Sequence, residues 1–131
     1  MSTILTVRDE TMGRRAVREW ELVVTAEQMT VRELIRSRVY QEVQDYNVEH
    51  GQVFRGLVQP DEAEQALNGW KLKRPRQLDW KRQFERAVEA FENNQILVLV
   101  NDRQAESLDE QFRIDTRTKL TFLRLALLVG G

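Results

Sequence analysis

The stretch that decides the fold is Ile96-Leu97-Val98-Leu99-Val100, five apolar residues in a row, three of them β-branched. A continuous apolar run of this length is typical of a central strand that is buried on both faces. The run is bounded downstream by Asn101-Asp102, a pair that favours a turn. The sequence therefore predicts a sheet with residues 96–100 in its interior.

Downstream of this strand, the pattern predicts two more strands. Residues 104–107 follow the Asn101-Asp102 turn closely enough to pair back onto the central strand. A second turn at 115–117 (Asp-Thr-Arg) precedes the apolar and β-branched residues of 119–125, which we predict to be the last strand.

Upstream, the chain begins with a predicted hairpin and a helix. Residues 4–7 and 20–24 have strand composition, and residues 9–15 supply the turn between them. Thr30 and Glu33 form a capping-box pattern, which opens a helix. Apolar residues then recur on one helical face, so we predict a helix over about 31–47.

Residues 51–94 are predicted to be mainly helical. Residues 54–58 suit a short extended piece, and Pro60 opens a helical turn that Asn68-Gly69 closes. A further helix is predicted over 79–93, with Asp79 as its N-cap. Between them, the basic residues of 71–76 are interpreted as a solvated connector rather than a phosphate-binding segment.

The predicted order is β-β-α, a helical insertion, β, a short β and a last β. Layer packing then favours an α+β fold, with a sheet covered by helices on one face. Its 131 residues fit one domain.

Composition excludes several function classes. There is no cysteine and only one histidine, His50, so the usual zinc sites and catalytic triads are excluded. The formal net charge of −1 gives no support for a nucleic-acid or membrane partner. The longest apolar runs, 96–100 and 125–129, are far shorter than the roughly 20 residues of a membrane-spanning helix. With no signal-peptide pattern at the N-terminus, we expect a cytoplasmic protein, and no cluster of residues predicts an active site.

The element order and the last residues resemble the β-grasp superfamily of ubiquitin-like proteins. The helix opens on Thr-Val-Arg-Glu-Leu at 30–34, as the helix of that family commonly does. Val-Leu-Val-Asn at 98–101 and Leu-Thr-Phe-Leu at 120–123 are similar to the sulfur-carrier branch, the small thiamin and molybdopterin synthase subunits. The sequence ends on Leu-Val-Gly-Gly at 128–131. The resemblance covers roughly 3–50 and 95–131, and it marks about 51–94 as an insertion and 126–131 as a C-terminal tail.

The resemblance implies that Gly130 and Gly131 are the reactive C-terminus and that the chain is not itself an enzyme. The expected partner is an E1-like adenylating enzyme, which uses ATP and Mg²⁺, so that this chain needs no cofactor or metal of its own. An E2-like enzyme and a JAB-type protease are further expected partners, as in bacterial conjugation operons, including antiviral ones. The apolar residues that would contact a partner are Leu125, Leu127, Leu128 and Val129.

Three functions stay open at this stage. The first is a ubiquitin-like modifier, conjugated through Gly131 to amines of target proteins. The second is a sulfur carrier, in which Gly131 becomes a thiocarboxylate. The third, of another class, is a non-covalent β-grasp interaction or assembly domain in which the glycines have no chemical role.

Overall fold

The computed structural model of the chain describes residues 2–12, 17–49, 51–66 and 69–125. They fall in two compact units: the sheet unit, Met1–Leu34 with Glu89–Gly131, and the hairpin unit, Ile35–Val88. Within the described ranges the strands are β1 (Thr3–Thr11), β2 (Val17–Val24), β3 (Gln28–Thr30), β4 (Ala63–Ala66), β5 (Gly69–Leu72), β6 (Ile96–Val100), β7 (Arg103–Gln104), β8 (Gln111–Arg113) and β9 (Lys119–Arg124), and the helices are α1 (Val31–Glu49) and α2 (Trp80–Glu92).

The sheet unit contains a five-stranded mixed sheet in the order β2-β1-β9-β6-β7. β1 pairs antiparallel with β2 and parallel with β9, and β9 and β7 both pair antiparallel with β6. The first and last strands of the chain are therefore parallel neighbours in the centre of the sheet. The α+β class predicted from the sequence is confirmed.

One face of this sheet carries the core of the unit. In β1, Leu5 and Val7 are fully buried while Thr6 and Arg8 are exposed, which is the period-two alternation of a strand. In the same way, Leu120 and Phe122 of β9 are buried. The core set of the strands is completed by Leu22, Val24, Ile96, Val98 and Val100.

The central-strand prediction for 96–100 is confirmed in its position and corrected in its burial. β6 lies between β9 and β7, inside the sheet. Its alternate residues Leu97 and Leu99 are only half-buried, so the strand is fully buried on one face rather than on both. Asn101 and Asp102 form the predicted turn with φ values of 51° and 66°, the left-handed conformation that two-residue hairpin turns require.

The start of α1 confirms the predicted capping box. The Glu33 main-chain N–H donates to Thr30 Oγ1 at 3.1 Å, and the Thr30 main-chain N–H donates to Glu33 Oε1 at 3.0 Å. The N–H groups of Val31 and Arg32 donate to the carbonyls of Glu110 and Leu108. The free N–H groups of the first turn, which every helix leaves unsatisfied, thus find acceptors in the loop before β8.

Glu110 organises that loop. Its Oε1 accepts the main-chain N–H of Glu106 at 3.0 Å, and its Oε2 lies 2.7 Å from Nη2 of Arg103. The hydrogen bond from Glu106 is the main cause that lowers the pKa of Glu110 below its ordinary value of 4.5; burial opposes it, and the hydrogen bond and the charge of Arg103 lower the pKa further. The ionised carboxylate is therefore the form that holds the loop.

We predict that this carboxylate makes stability depend on pH. Because the folded-state pKa lies below the unfolded one, the contribution of Glu110 is complete above about pH 4.5 and is lost as the pH falls through the folded-state pKa. Urea denaturation of the wild type and of Glu110→Gln at several pH values measures it. The difference in unfolding free energy should shrink as the pH falls. A difference that stays constant down to about pH 3 would contradict the prediction.

The hairpin unit corrects the helical turn predicted over 60–69. Residues Ala63–Ala66 and Gly69–Leu72 are instead paired strands, with Ala63 opposite Leu72. Glu62 has a φ of 51°, which a continuing right-handed helix does not allow. Phe54 forms an isolated bridge with Trp70, so the hairpin has a further backbone partner. These pairings override the helix-forming composition of Ala-Glu-Gln-Ala.

The second predicted helix is confirmed, and its start is fixed by hydrogen bonds within the hairpin unit. The Asp79 carboxylate accepts the main-chain N–H of Lys81 at 3.0 Å, which is the predicted N-cap. Just before it, the Asn47 side chain both donates to the carbonyl of Leu78 (3.0 Å) and accepts its N–H (2.8 Å). The segment that enters α2 is therefore held to α1 by two hydrogen bonds between the Asn47 side chain and the main chain of Leu78.

Gly69 is predicted to be essential for the stability of this unit. Its φ is 153°, and a Cβ added there would lie 2.5 Å from the main-chain oxygen of Phe54. Gly69→Ala should lower the unfolding free energy by about 1–3 kcal/mol, because the substitution is strained and disturbs the bridge between Phe54 and Trp70. Urea denaturation measures the change. The matched control is Gly51→Ala, where the nearest atom would be 3.9 Å away and little change is expected; equal losses in both variants would contradict the prediction.

Candidate functional site

The candidate site is the point at which the chain leaves β9. This strand is the middle one of five, and it is hydrogen-bonded to β1 on one side and to β6 on the other. At its end, the carbonyl of Arg124 accepts the N–H of Met12 at 2.8 Å, and the N–H of Leu125 donates to the carbonyl of Gln95 at 3.0 Å. The main chain is thus held on both sides up to residue 125.

The interior of the sheet anchors this exit point. Leu120 and Phe122 are 1% and 0% exposed, and they lie opposite Val7 and Asp9 of β1. Asp9 is itself buried, and its carboxylate accepts the indole N–H of Trp20 at 3.1 Å. A strand that buries two large side chains and is hydrogen-bonded along both edges is held rigidly. The residues that follow it therefore begin at a fixed position.

Apolar side chains extend from the exit point over the other face of the sheet. Leu123 lies opposite Leu97, and neither belongs to the fully buried set. Leu125 follows at the same strand period and is also half-buried. These three leucines form the outer row, a partly accessible apolar surface beside the end of β9.

Of the predicted site residues, the structure describes Leu125 alone. Leu127, Leu128, Val129, Gly130 and Gly131 lie outside the described residues. The prediction that Leu125 belongs to the last strand is corrected by one position, because β9 ends at Arg124. The predicted reactive C-terminus stays a prediction.

Sequence reasoning missed the residues that hold the exit point, Met12 and Gln95. Both act through main-chain atoms, so their side chains carry no signal. A signal for Gln95 exists in its neighbours, since Asn94 has a φ of 58° and asparagine tolerates this conformation better than most residues. An Asn-Asn pair between a helix and a strand indicates a fixed turn of this kind.

No group of three or more His, Cys, Asp or Glu residues in the described parts of the chain is arranged to hold a metal ion. None of the helices described is both long enough and apolar enough to cross a membrane. The chain gives no match to a protein-family model, to a curated protein or to a solved structure, so the site is interpreted from its own residues.

Proposed function

We propose that the chain is a β-grasp protein that acts as a ubiquitin-like modifier through the carboxylate of Gly131. The observation that carries the proposal is the strand order β2-β1-β9-β6-β7, with the first and last strands parallel in the centre. A mixed sheet of five strands with one parallel pair is consistent with a β-grasp-like fold. It is followed, after residue 125, by an apolar tail that ends in two glycines.

The firm attachment of β9 supports a role for the residues that follow it. A partner enzyme has to align one carbonyl group of the tail. If the first residue of the tail is already fixed, less conformational entropy is lost when the enzyme binds it. The six residues after Leu125 can reach about 20 Å when extended. That length suits a tail that enters a narrow channel, and the glycines have no side chains to obstruct it.

The chemistry would follow two balanced steps on the partner enzyme. A carboxylate oxygen of Gly131 attacks the α-phosphorus of ATP, the bond to the β-phosphate oxygen breaks, and pyrophosphate leaves. The nitrogen of a target amine then attacks the carbonyl carbon of this adenylate, AMP leaves, and the amine loses a proton. Where an enzyme thiolate takes the acyl group first, AMP leaves in that step, and the thiolate is the group that leaves when the amine attacks the thioester. This chain supplies the acyl group, and the partner supplies ATP, Mg²⁺ and the catalytic groups.

The outer row supports a contact surface next to the tail. Leu97, Leu123 and Leu125 present apolar area at the end of β9, and such area favours contact with another protein. An activating enzyme that binds the tail would reach this surface as well. We therefore include Leu125, with Leu127, Leu128 and Val129, in the proposed contact with the enzyme.

Intact-mass analysis tests the proposal directly. The protein is incubated with ATP, Mg²⁺ and an E1-like adenylating enzyme from the same organism, and a lysine-rich acceptor protein is then added. An ATP-dependent product joined to an acceptor lysine through Gly131 is expected. A terminal thiocarboxylate would instead assign the sulfur-carrier function. No mass change, with an enzyme shown to adenylate another substrate, would favour the non-covalent interaction domain.

A further inference from the structure

Four arginines of the hairpin unit surround the two acidic residues Asp61 and Glu62. They come from two separate segments, the residues after β5 and the exposed side of α2, and we name them the arginine cluster: Arg74, Arg76, Arg82 and Arg86. The sequence pattern predicts a solvated connector for the first segment and gives no link to α2. The structure brings both segments to one place.

Asp61 holds the two arginines of α2. The Nε atom of Arg82 lies 3.4 Å from Oδ2 of Asp61, and Nη2 of Arg86 contacts Oδ1 of the same carboxylate. Arg86 also donates from Nη1 to the carbonyl of Gln59 at 2.8 Å. The two guanidinium groups are therefore already arranged around one carboxylate.

The other two arginines contact the same short turn. Nη2 of Arg74 lies 3.1 Å from Oε2 of Glu62, and Nη2 of Arg76 donates to the main-chain oxygen of Asp61. Each guanidinium carries about five N–H donors in a planar fork. Within the described residues, each of the four guanidinium groups uses only one or two of these donors.

The cluster has an excess of positive charge and is accessible. Four guanidinium groups face two carboxylates, and the side chains of Arg74 and Arg82 are 77% and 55% exposed. Ion pairs at such exposure contribute little stability. Little free energy is therefore lost if these ion pairs are rearranged so that the arginines bind a further anion.

The charge pattern favours a short acidic segment of a protein over a nucleic acid. The hairpin unit has ten Lys and Arg residues against eight Asp and Glu, a formal charge of only +2. Affinity for nucleic acid grows with the number of phosphates neutralised, and a unit with a formal charge of only +2 has little excess charge to neutralise a phosphate backbone. Two or three carboxylates of a peptide need no more than one guanidinium each.

We propose that the arginine cluster binds a carboxylate-rich segment of a partner protein. Asp61 shows the geometry that a ligand carboxylate would adopt, since two guanidinium groups already converge on it. The proposal is independent of the role of Gly131, because the cluster lies wholly within the hairpin unit.

A fluorescent hexaglutamate peptide, titrated with the full chain at low salt, is the probe. Saturable binding is expected, and the double variant Arg74→Gln with Arg82→Gln should weaken it about fivefold or more. The matched control is Arg8→Gln with Arg117→Gln, which removes the same charge from the sheet unit. This control variant should bind hexaglutamate with an affinity within twofold of that of the wild type. Urea midpoints of all variants establish that they are folded.

A third variant separates ligand binding from a structural role. Asp61→Asn removes the internal carboxylate, so hexaglutamate should bind at least as tightly as to the wild type. A loss as large as that of the arginine double variant would mean that both changes disrupt a structural network, and it overturns the proposal. Absence of saturable binding, equal losses in the two double variants, or tighter arginine-dependent binding of a thymidine oligonucleotide each overturn it too.

Discussion

Glu42→Ala is expected to lower the free energy of unfolding by about 3–5 kcal/mol. Its carboxylate pairs with Arg38, whose side chain is 0% exposed, at 3.2 Å between Nε and Oε2. The other oxygen, Oε1, accepts the main-chain N–H of Leu57 at 3.0 Å. The substitution removes the paired charge from a buried guanidinium and an acceptor from the chain that leads to the hairpin. Urea denaturation monitored by tryptophan fluorescence measures the loss.

Two further variants show whether the buried pair is the cause. Glu42→Gln keeps an oxygen that can accept the Leu57 N–H, so it should lose clearly less than Glu42→Ala. The double variant Arg38→Met with Glu42→Ala should lose less than the sum of the two single changes, because it leaves no buried cation without its carboxylate. Additive losses would show that the two side chains are not coupled and would contradict the prediction.

The burial of the Arg38 side chain could not be predicted from the sequence. Arg38 lies on the same helical face as Ile35 and Val39, yet an arginine in an apolar stripe is ordinarily assigned to the solvent side. Its burial becomes understandable only when Glu42, one turn later, turns its carboxylate toward both Arg38 and Leu57. The partner at 57 is distant in sequence, and no local pattern identifies it.

Much of the sheet unit was predictable because its signals are local and mutually consistent. The exceptions are β3 and β8, which were not predicted, β1, which continues to Thr11 into the predicted turn, and β7, which is Arg103–Gln104 rather than 104–107. Strand alternation, the Thr30–Glu33 capping box and the Asn101-Asp102 turn each depend on neighbours within a few residues. These signals agree with one another. A fold can be predicted from its sequence when the local preferences agree with the tertiary structure. The pairing of β1 with β9 could not be predicted from local signals, because more than one hundred residues separate Thr6 from Lys119.

The hairpin unit was less predictable because its sequence favours the wrong local structure. Residues 63–66 have good helix formers, and the strand state is selected by pairing with 69–72 and by the Phe54–Trp70 bridge. The arginine cluster was missed for the same reason. Its two halves lie on either side of the α2 start, and Asp61, which both halves contact, lies in the segment that was predicted to be a helical turn.

Gly131→Val is expected to reduce the ATP-dependent product of the activating enzyme by about 100-fold or more. A side chain on the residue whose carbonyl reacts would displace that carbon from the attacking group, and a displacement of about 1 Å is enough for a loss of this size. Gly131→Ala adds a single methyl group at the same position and should retain part of the activity. The measurement is the initial rate of product formation by intact mass, with the wild type and both variants at equal concentration.

The substitutions at residue 131 should change the reaction of the terminal carbonyl and leave both folding and enzyme binding unchanged. Residue 131 lies beyond the end of β9, so the urea midpoint should not change in either variant. Gly131→Val should still compete with the wild-type chain for the activating enzyme, because the outer row and the apolar tail are unchanged. A variant that competes but does not react identifies the terminal carbonyl as the group that the enzyme uses. Wild-type rates for Gly131→Val would instead favour a role of the five-stranded sheet as a scaffold for non-covalent binding, and the arginine cluster would then be the first surface to investigate.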